Sequence, residues 1–245
     1  MQTASPPPRR KWHFKRWFIV LTVAISAWGG WRVYDKRSAI KEAEALGWTV
    51  QYTEPSKEIY ADWRNAFRKG TWTDGVSWVG IPTIDDLEQH VDVLHRLNPT
   101  HLTIDDATSL HNPRSFRPLT RLKSVIVLSG TRLENIDGLA GLPALQNLKI
   151  YSSSHLKNVD ALKNLSTLEH LDLLYCTGLT NLDGLKNHIA LESVGFLGCT
   201  GLTNVDALKS LPALEEVYLR HCMGLKRESV DALRAALPNT RIEWP

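Results

Sequence analysis

Three cysteines, Cys176, Cys199 and Cys222, are the first residues that could do chemistry, because thiolates are soft metal ligands and redox-active groups. They stand 23 residues apart. Segments stacked about 4.8 Å apart would bring such positions within disulfide reach. Three is an odd number, however, and no His or Asp shares their phase. Buried structural thiols are therefore the favoured reading over a disulfide or a metal site, and the cysteines say little about redox compartment. A second column, Asp137, Asp160, Asp183 and Asp206, each two residues after Asn135, Asn158, Asn181 and Asn204, resembles a row of calcium ligands. One carboxylate per segment in a single line does not converge on an ion. The simpler expectation is that each Asp caps a short helix by accepting from its orphan N–H groups, with the Asn bonded to turn backbone.

The nine histidines show no ligand spacing: His90 and His95 are five apart, and His101 and His170 fall at outward strand positions. The chain contains no G-x-S-x-G, H-E-x-x-H, phosphate-binding loop or G-x-G-x-x-G sequence. No nucleophile, base and oxyanion donor can be assembled from these residues. The expectation is a protein that is not an enzyme, with no catalytic residue, no cofactor and no metal.

What positions these columns is a repeat. A leucine recurs at Leu122, Leu145, Leu168, Leu191 and Leu214, a period of 23 residues without slippage. Three residues after each stand Val125, Leu148, Leu171, Val194 and Val217; five after, Val127, Ile150, Leu173, Phe196 and Leu219; eleven after, Leu133, Leu156, Leu179, Leu202 and Leu225. One step back, Pro99 replaces the leucine while Leu102, Ile104 and Leu110 keep the pattern. A further step gives Val76, Val79 and Ile81, with a helix expected over 85–97. One step forward gives Leu237, Thr240 and Ile242 as a closing half-coil. Alternation at the third and fifth positions turns two side chains of a short strand inward. The leucines that follow, such as Leu156, Val159, Leu162 and Leu165, recur every three residues, which suits a short 3₁₀ or helical stretch. No such coil buries its apolar side alone, so neighbours must share a core. One defect stands out: His188 occupies the slot of Leu165 and Leu211, and the adjacent Ile189 is expected to turn inward instead.

This pattern, L-x-x-L-x-L-x-x-N/C-x-L, resembles the leucine-rich repeat over residues 99–245. The cysteines then fall at the Asn/Cys position, inward at the turn leaving each strand. The resemblance implies an α/β solenoid, a right-handed superhelix with a parallel sheet on its concave side. End segments 37–46 (helix), 48–53 (strand) and 57–69 (amphipathic helix, with Tyr60, Trp63 and Phe67 on one side) would cap the first coil, and Ser229–Leu237 with Thr240–Trp244 would close the last. In layout the chain is similar to short membrane-anchored bacterial leucine-rich repeat proteins, a likeness that implies binding and no particular ligand.

Composition leaves room for this reading. At 43% hydrophobic and 22% charged the chain is not disordered in character. Residues 1–44 carry nine Lys/Arg against three Asp/Glu, and residues 45–245 twenty against twenty-three. The mildly acidic remainder argues against nucleic acid as partner. The basic excess flanks an apolar run from Trp17 to Tyr34, with Arg9, Arg10, Lys11, Lys15 and Arg16 before it and Trp12, Trp17, Trp28 and Trp31 at its ends. About 18 residues span roughly 27 Å of helix, so one transmembrane helix preceding the solenoid is expected, over a cleaved signal peptide or a core helix. The expected organisation is a basic cytoplasmic tail over 1–16, a transmembrane signal-anchor over 17–34, a helix–strand–helix cap over 35–75 and a repeat domain over 76–245 of about seven coils plus a closing strand. Localisation would be single-pass in the cell membrane with the repeats on the external or periplasmic side.

The outward strand positions point to function. Ile126, Leu128, Tyr151, Leu174, Leu197 and Tyr218 make a largely apolar stripe, punctuated by Lys149, Asp172, Glu216 and Arg220, with Tyr175 adjacent. A purely structural surface would place polar residues at most of these points, whereas apolar patches with aromatic anchors mark protein interfaces. The expected partner-binding residues are Ile126, Leu128, Lys149, Tyr151, Asp172, Leu174, Leu197, Tyr218 and Arg220. The expectation is a membrane-anchored protein-binding scaffold, with a recognition subunit that brings a separate enzyme to its substrate as the alternative and no small-molecule substrate. Self-association would be a rival use of the same stripe.

Overall fold

Parallel pairing at a fixed offset of 23 residues builds the sheet. The computed structural model describes residues 35–52, 76–83, 89–107, 116 and 119–245. Among them nine strands form one sheet in chain order: β1 (Thr49–Tyr52), β2 (Val76–Thr83), β3 (His101–Asp106), β4 (Ser124–Ser129), β5 (Asn147–Tyr151), β6 (His170–Leu174), β7 (Ser193–Gly195), β8 (Glu216–Tyr218) and β9 (Arg241–Glu243). β1 runs antiparallel to β2, and every later neighbour is parallel. Trp78 pairs with His101, His101 with Ser124, and the line continues through Asn147, His170, Ser193 and Glu216. The architecture resembles a leucine-rich repeat solenoid, as the leucine spacing requires.

The core lies on one side of this sheet. Leu148, Ile150, Leu156, Val159, Leu162, Leu165 and Leu168, one coil's apolar set, are all at most 2% exposed. Each such side chain contributes roughly 1.5–3 kcal/mol when fully buried, and the burial exists only because the next coil supplies the other wall. Pro99 is buried in its leucine slot. The three-residue spacing yields 3₁₀ helices at Asp137–Leu139, Asp160–Asn164, Asp183–Leu185 and Asp206–Ser210. Of the helix expected over 85–97, α2 (Val91–Leu97) forms, and residues 84–88 lie outside the described ones.

The turn that leaves each strand is built around one left-handed residue. Ser152, Tyr175, Gly198 and His221 have φ of 57°, 57°, 69° and 60°, again 23 residues apart. Three of the four carry a Cβ that this conformation disfavours by roughly 1–2 kcal/mol. The ladder holds them there: Ser152 N–H donates to the Leu174 carbonyl at 2.8 Å and Tyr175 N–H to the Leu197 carbonyl at 2.7 Å. The bend turns the next residue inward, which places Ser153, Cys176, Cys199 and Cys222 in one buried column. The three thiols are free and buried. Cys199 Sγ donates to the Leu173 carbonyl at 3.1 Å. Hydrogen bonds with Cys176 and Cys222, together with burial, push the Cys199 thiol up and keep it protonated.

Four expectations need correction. The Asp column does not cap the 3₁₀ helices. Ile136, Val159, Leu182 and Val205 hold the cap positions, and Asn135, Asn158, Asn181 and Asn204 before them bond to turn backbone as expected, their Oδ1 atoms accepting from the N–H of the Asp two residues on at 3.3, 3.1, 2.6 and 3.4 Å. Three of the four Asp side chains instead face lysines three residues on, Asp160 with Lys163, Asp183 with Lys186 and Asp206 with Lys209. The closing half-coil is also shifted: Glu216 pairs with Arg241 and Val217 with Ile242, an offset of 25. The connection between them holds α3 (Arg227–Ala236), ten residues of α-helix, longer than the three to five residues of 3₁₀ in the four coils before it and than the seven of α2, whose coil keeps the offset of 23.

The third correction concerns the N-terminal segment. The expected transmembrane helix over 17–34 lies outside the described residues, as does the expected helix over 57–69. Among the described residues no helix is long and apolar enough to cross a membrane. The first described element, α1 (35–45), carries charges along its length and buries only Ala39 and Ala43 in the core. Arg96 of α2 binds Glu42 and approaches Asp35 at 3.7 Å, which ties α1 to the first coil. What meets the first coil is the small apolar side of an otherwise charged helix, Ala39 and Ala43 with Ile40 beside them. The membrane anchor, the membrane as partner and single-pass localisation are therefore dropped from the functional reading.

The fourth is the defect at His188. Ile189 does not turn inward: it is 69% exposed, while His188 is 3% exposed and fills the leucine slot itself. Its Nε2 has no hydrogen-bond partner among the described residues. Burial holds the imidazole below its ordinary value of 6.5, with backbone groups of Gly184, Leu162 and Leu165 opposing this more weakly. A depressed histidine means that the unfolded chain takes the proton first, so its contribution is complete above pH 6.5 and is lost as pH falls below it. Urea unfolding from pH 8 to 5 is expected to show this acid loss, at up to about 1.4 kcal/mol per pH unit for the one proton. The variant His188→Leu should be about 1 kcal/mol more stable at pH 7 and should lack that part of the acid slope. Equal slopes in both proteins would show that the imidazole is not held neutral by the fold.

Candidate binding face

Because side chains alternate along a strand, the residues between the buried ones form three rows across the sheet face opposite the core. The register fixes their membership. The first row runs Trp78, His101, Ser124, Asn147, His170, Ser193, Glu216 and Arg241; the second runs Gly80, Thr103, Ile126, Lys149, Asp172, Gly195, Tyr218 and Glu243. The third, at the C-terminal ends of the strands, contains Leu128, Tyr151, Leu174, Leu197 and Arg220.

All nine residues proposed from the sequence thus fall on this face, in two rows. Ile126 and Tyr218 share the second with Lys149 and Asp172. Leu128, Tyr151, Leu174 and Leu197 form an unbroken apolar run in the third, ending at Arg220. Leu128 is 48% exposed, Tyr151, Leu174 and Leu197 are half-buried, and Tyr175, next to them on its left-handed turn, is 53% exposed. Their strand neighbours Val127, Ile150 and Leu173 are fully buried. The same strands therefore keep one apolar set dry and hold another at the surface.

The charges on the face are bonded to one another. Lys149 Nζ lies 2.8 Å from Asp172 Oδ2, and the hydrogen bond to Asp172 raises the lysine above its ordinary value. Arg220 donates from Nε to Glu243 Oε2 at 3.0 Å and from a terminal nitrogen to the same oxygen. Tyr218 Oη donates to Glu216 Oε2 at 2.9 Å, and that bond pushes the phenol up. Asp172 reaches its position because the next residue along the row is Gly195: a Cβ there would stand 2.5 Å from Asp172 Oδ1. At the other end Trp78 lies over Gly80, donates from Nε1 to Thr103 Oγ1 at 2.9 Å and covers the threonine.

Sequence reasoning missed Trp78, Arg241 and Glu243 as members of the face. Trp78 was within reach, since it stands two residues after Val76 in the earliest coil of the register. Arg241 and Glu243 were not, because the 23-residue spacing misplaces them by two. Among the described residues no group of three or more His, Cys, Asp or Glu is placed to hold a metal ion.

No protein-family model matches the chain, and no curated protein matches it. Among solved structures, the leucine-rich repeat domain of the type III effector XopL aligns with 100% of this chain and 97% of its own at 19% identity and a TM-score of 0.45. An internalin, InlF, from Listeria monocytogenes aligns with 60% of this chain at 15% identity and a TM-score of 0.30, the match spanning 62% of that structure. The assignment of architecture stands on the register and core described above.

The glycine in the second row generates a direct test. In Gly195→Ala the Asp172 carboxylate must move, and its bond to Lys149 weakens. The Lys149 ammonium, followed by NMR titration, is expected to shift down toward the ordinary lysine value, with a stability loss of no more than about 1 kcal/mol for a half-exposed pair. An unchanged Lys149 titration would show that the pair does not depend on this close approach.

Proposed function

We propose that the chain is a protein-binding module that uses the open face of its sheet, and is not an enzyme. The observation that carries this reading is the third row. Leu128, Tyr151, Leu174 and Leu197, joined by Tyr175, keep apolar area at the surface of strands whose other side is fully buried. Exposed apolar patches that contain aromatic anchors and have a polar surround are characteristic of protein interfaces. The surround here is already ordered: Lys149 with Asp172 and Arg220 with Glu243 are held by mutual bonds, so a partner would meet a preformed surface and little side-chain entropy would be lost on docking.

A photo-cross-linking residue at Leu174, compared with one at Lys163 in the 3₁₀ helix on the opposite side of the coil, tests the proposal. Cross-links to one identified protein are expected from position 174 and not from 163. In Tyr151→Asp with Leu174→Asp the unfolding transition should persist, and capture should fall at least about tenfold, some 1.4 kcal/mol. Equal cross-linking from both positions would sink the reading. So would unfolding of the double variant, because the two side chains would then belong to the core.

A further inference from the structure

We infer that the free edge of β9 joins a second copy of this chain, the two strands running antiparallel about a two-fold axis at Ile242. This surface is distinct from the open face proposed above for a partner. The ladder shows which backbone groups of β9 are already used. Arg241 N–H donates to the Glu215 carbonyl at 2.7 Å, and the Glu243 carbonyl accepts from Leu219 N–H at 2.9 Å. Arg241 and Glu243 therefore turn their peptide groups toward β8, and Ile242 between them turns its N–H and C=O away. β9 is the last strand of the sheet, so this edge has no neighbour among the described residues. An unpaired strand edge is a template for another strand, and a two-fold pair satisfies it without leaving a new one.

The core is open at the same place. Ile242 pairs with the fully buried Val217, yet Ile242, Leu237 and Trp244 are themselves only partly buried. Stacked coils cover such residues only with a neighbour, and no strand lies beyond β9 among the described residues. In the inferred pair, Ile242 of each copy exchanges both backbone hydrogen bonds with Ile242 of the other. Their Cα atoms then stand about 5.5 Å apart, which brings the two side chains into contact.

Charge selects both the register and the occupant. Arg241 and Glu243 lie on one side of β9, in the first and second rows of the open face. Centred on Ile242, antiparallel pairing sets each Arg241 opposite Glu243 of the other copy. Centred on Arg241 or on Glu243, it sets arginine against arginine or glutamate against glutamate, which destabilises a cross-strand pair. Within one copy Arg241 and Arg220 already meet Glu243, and the Arg241 side chain is still 66% exposed. The two-fold pair extends that network and places no like charges opposite each other. The other end of the sheet offers no such match. There β1 sets the uncharged Thr49 and Gln51 beside Gly80 and Trp78, so head-to-tail pairing of β9 with β1, which builds an open chain of copies, is not selected. In the two-fold pair both open faces lie on the same side of one continuous sheet, and the assembly is bivalent for the proposed partner.

Sedimentation velocity of the full chain, from about 1 µM to about 1 mM, should show monomer giving way to dimer and no larger species. Arg241→Glu sets glutamate against glutamate in both cross-strand pairs, and Glu243→Arg sets arginine against arginine. Each variant alone should weaken the dimer at least about tenfold while its unfolding transition persists. An equimolar mixture of the two restores unlike pairs and should recover dimer as a heterodimer. Cross-linking reads the register without any charge change. With oxidised glutathione present, Ile242→Cys should give a covalent dimer, because equivalent residues face each other within disulfide reach. Arg241→Cys should not, because its equivalent lies two residues further along the opposite strand. A chain that stays monomeric over the whole range would overturn the inference, as would association that grows past the dimer. So would a dimer indifferent to both charge variants, a mixture that remains monomeric, or equal cross-linking from positions 241 and 242.

Discussion

No coil of this protein can close its own core, and that constraint sets nearly everything else. A strand with two inward residues and a short 3₁₀ helix with its leucines leaves an apolar surface on both flanks. Only a neighbour of the same length, in the same register, covers it. The parallel ladder enforces that sameness residue by residue, from Trp78 to Glu216 without a slip. Repetition is thus a packing requirement, and the columns of Cys, Asn, Asp and left-handed residues are its by-products. The cysteines are the plainest case: their spacing invites a metal or disulfide reading, and their place inside the turn makes them small, buried core residues.

The same constraint explains which expectations read correctly from the sequence. Leucine positions, strand register and the row to which each outward residue belongs follow from a period, and a period is visible in one chain. Departures from the period were legible only where a residue type broke the pattern without changing the length. Pro99 could be placed because the spacing around it holds. His188 was recognised as an intruder, but the outcome depended on a balance that spacing does not contain. Turning Ile189 inward would have shifted the chain by one residue relative to both neighbouring coils. Keeping the ladder and burying an imidazole with an orphan Nε2 was the smaller cost.

Changes of length were the real blind spot. The last coil uses ten residues of α-helix where the four before it use three to five of 3₁₀, and the offset between strands grows from 23 to 25. The helix itself was expected, but its length was not carried through to the strand that follows. That omission hid Arg241 and Glu243, the two residues that engage Arg220 and Glu216 and so settle the charges at the C-terminal end of the face. The expectation for the Asp column erred in another way. Both residue types favour helix starts, and only the geometry shows that the amide takes the N–H while the carboxylate turns to a lysine.

The open face shows what repetition leaves free. Inward positions are dictated by the neighbours above and below, so they converge on leucine, valine and isoleucine. Outward positions carry no such demand, and a surface with no function should drift toward charged and small polar residues. The third row has instead kept Leu128, Tyr151, Leu174 and Leu197 over four successive coils, each beside a fully buried residue that already satisfies the core. The second row spends its charge internally, between Lys149 and Asp172, with Gly195 giving the carboxylate room. Stability accounts for neither feature, since half-exposed leucines add little burial and exposed ion pairs add little energy. On the binding role proposed above, the apolar edge at the C-terminal ends of the strands, with paired charges beside it, gives the contact a direction across the sheet.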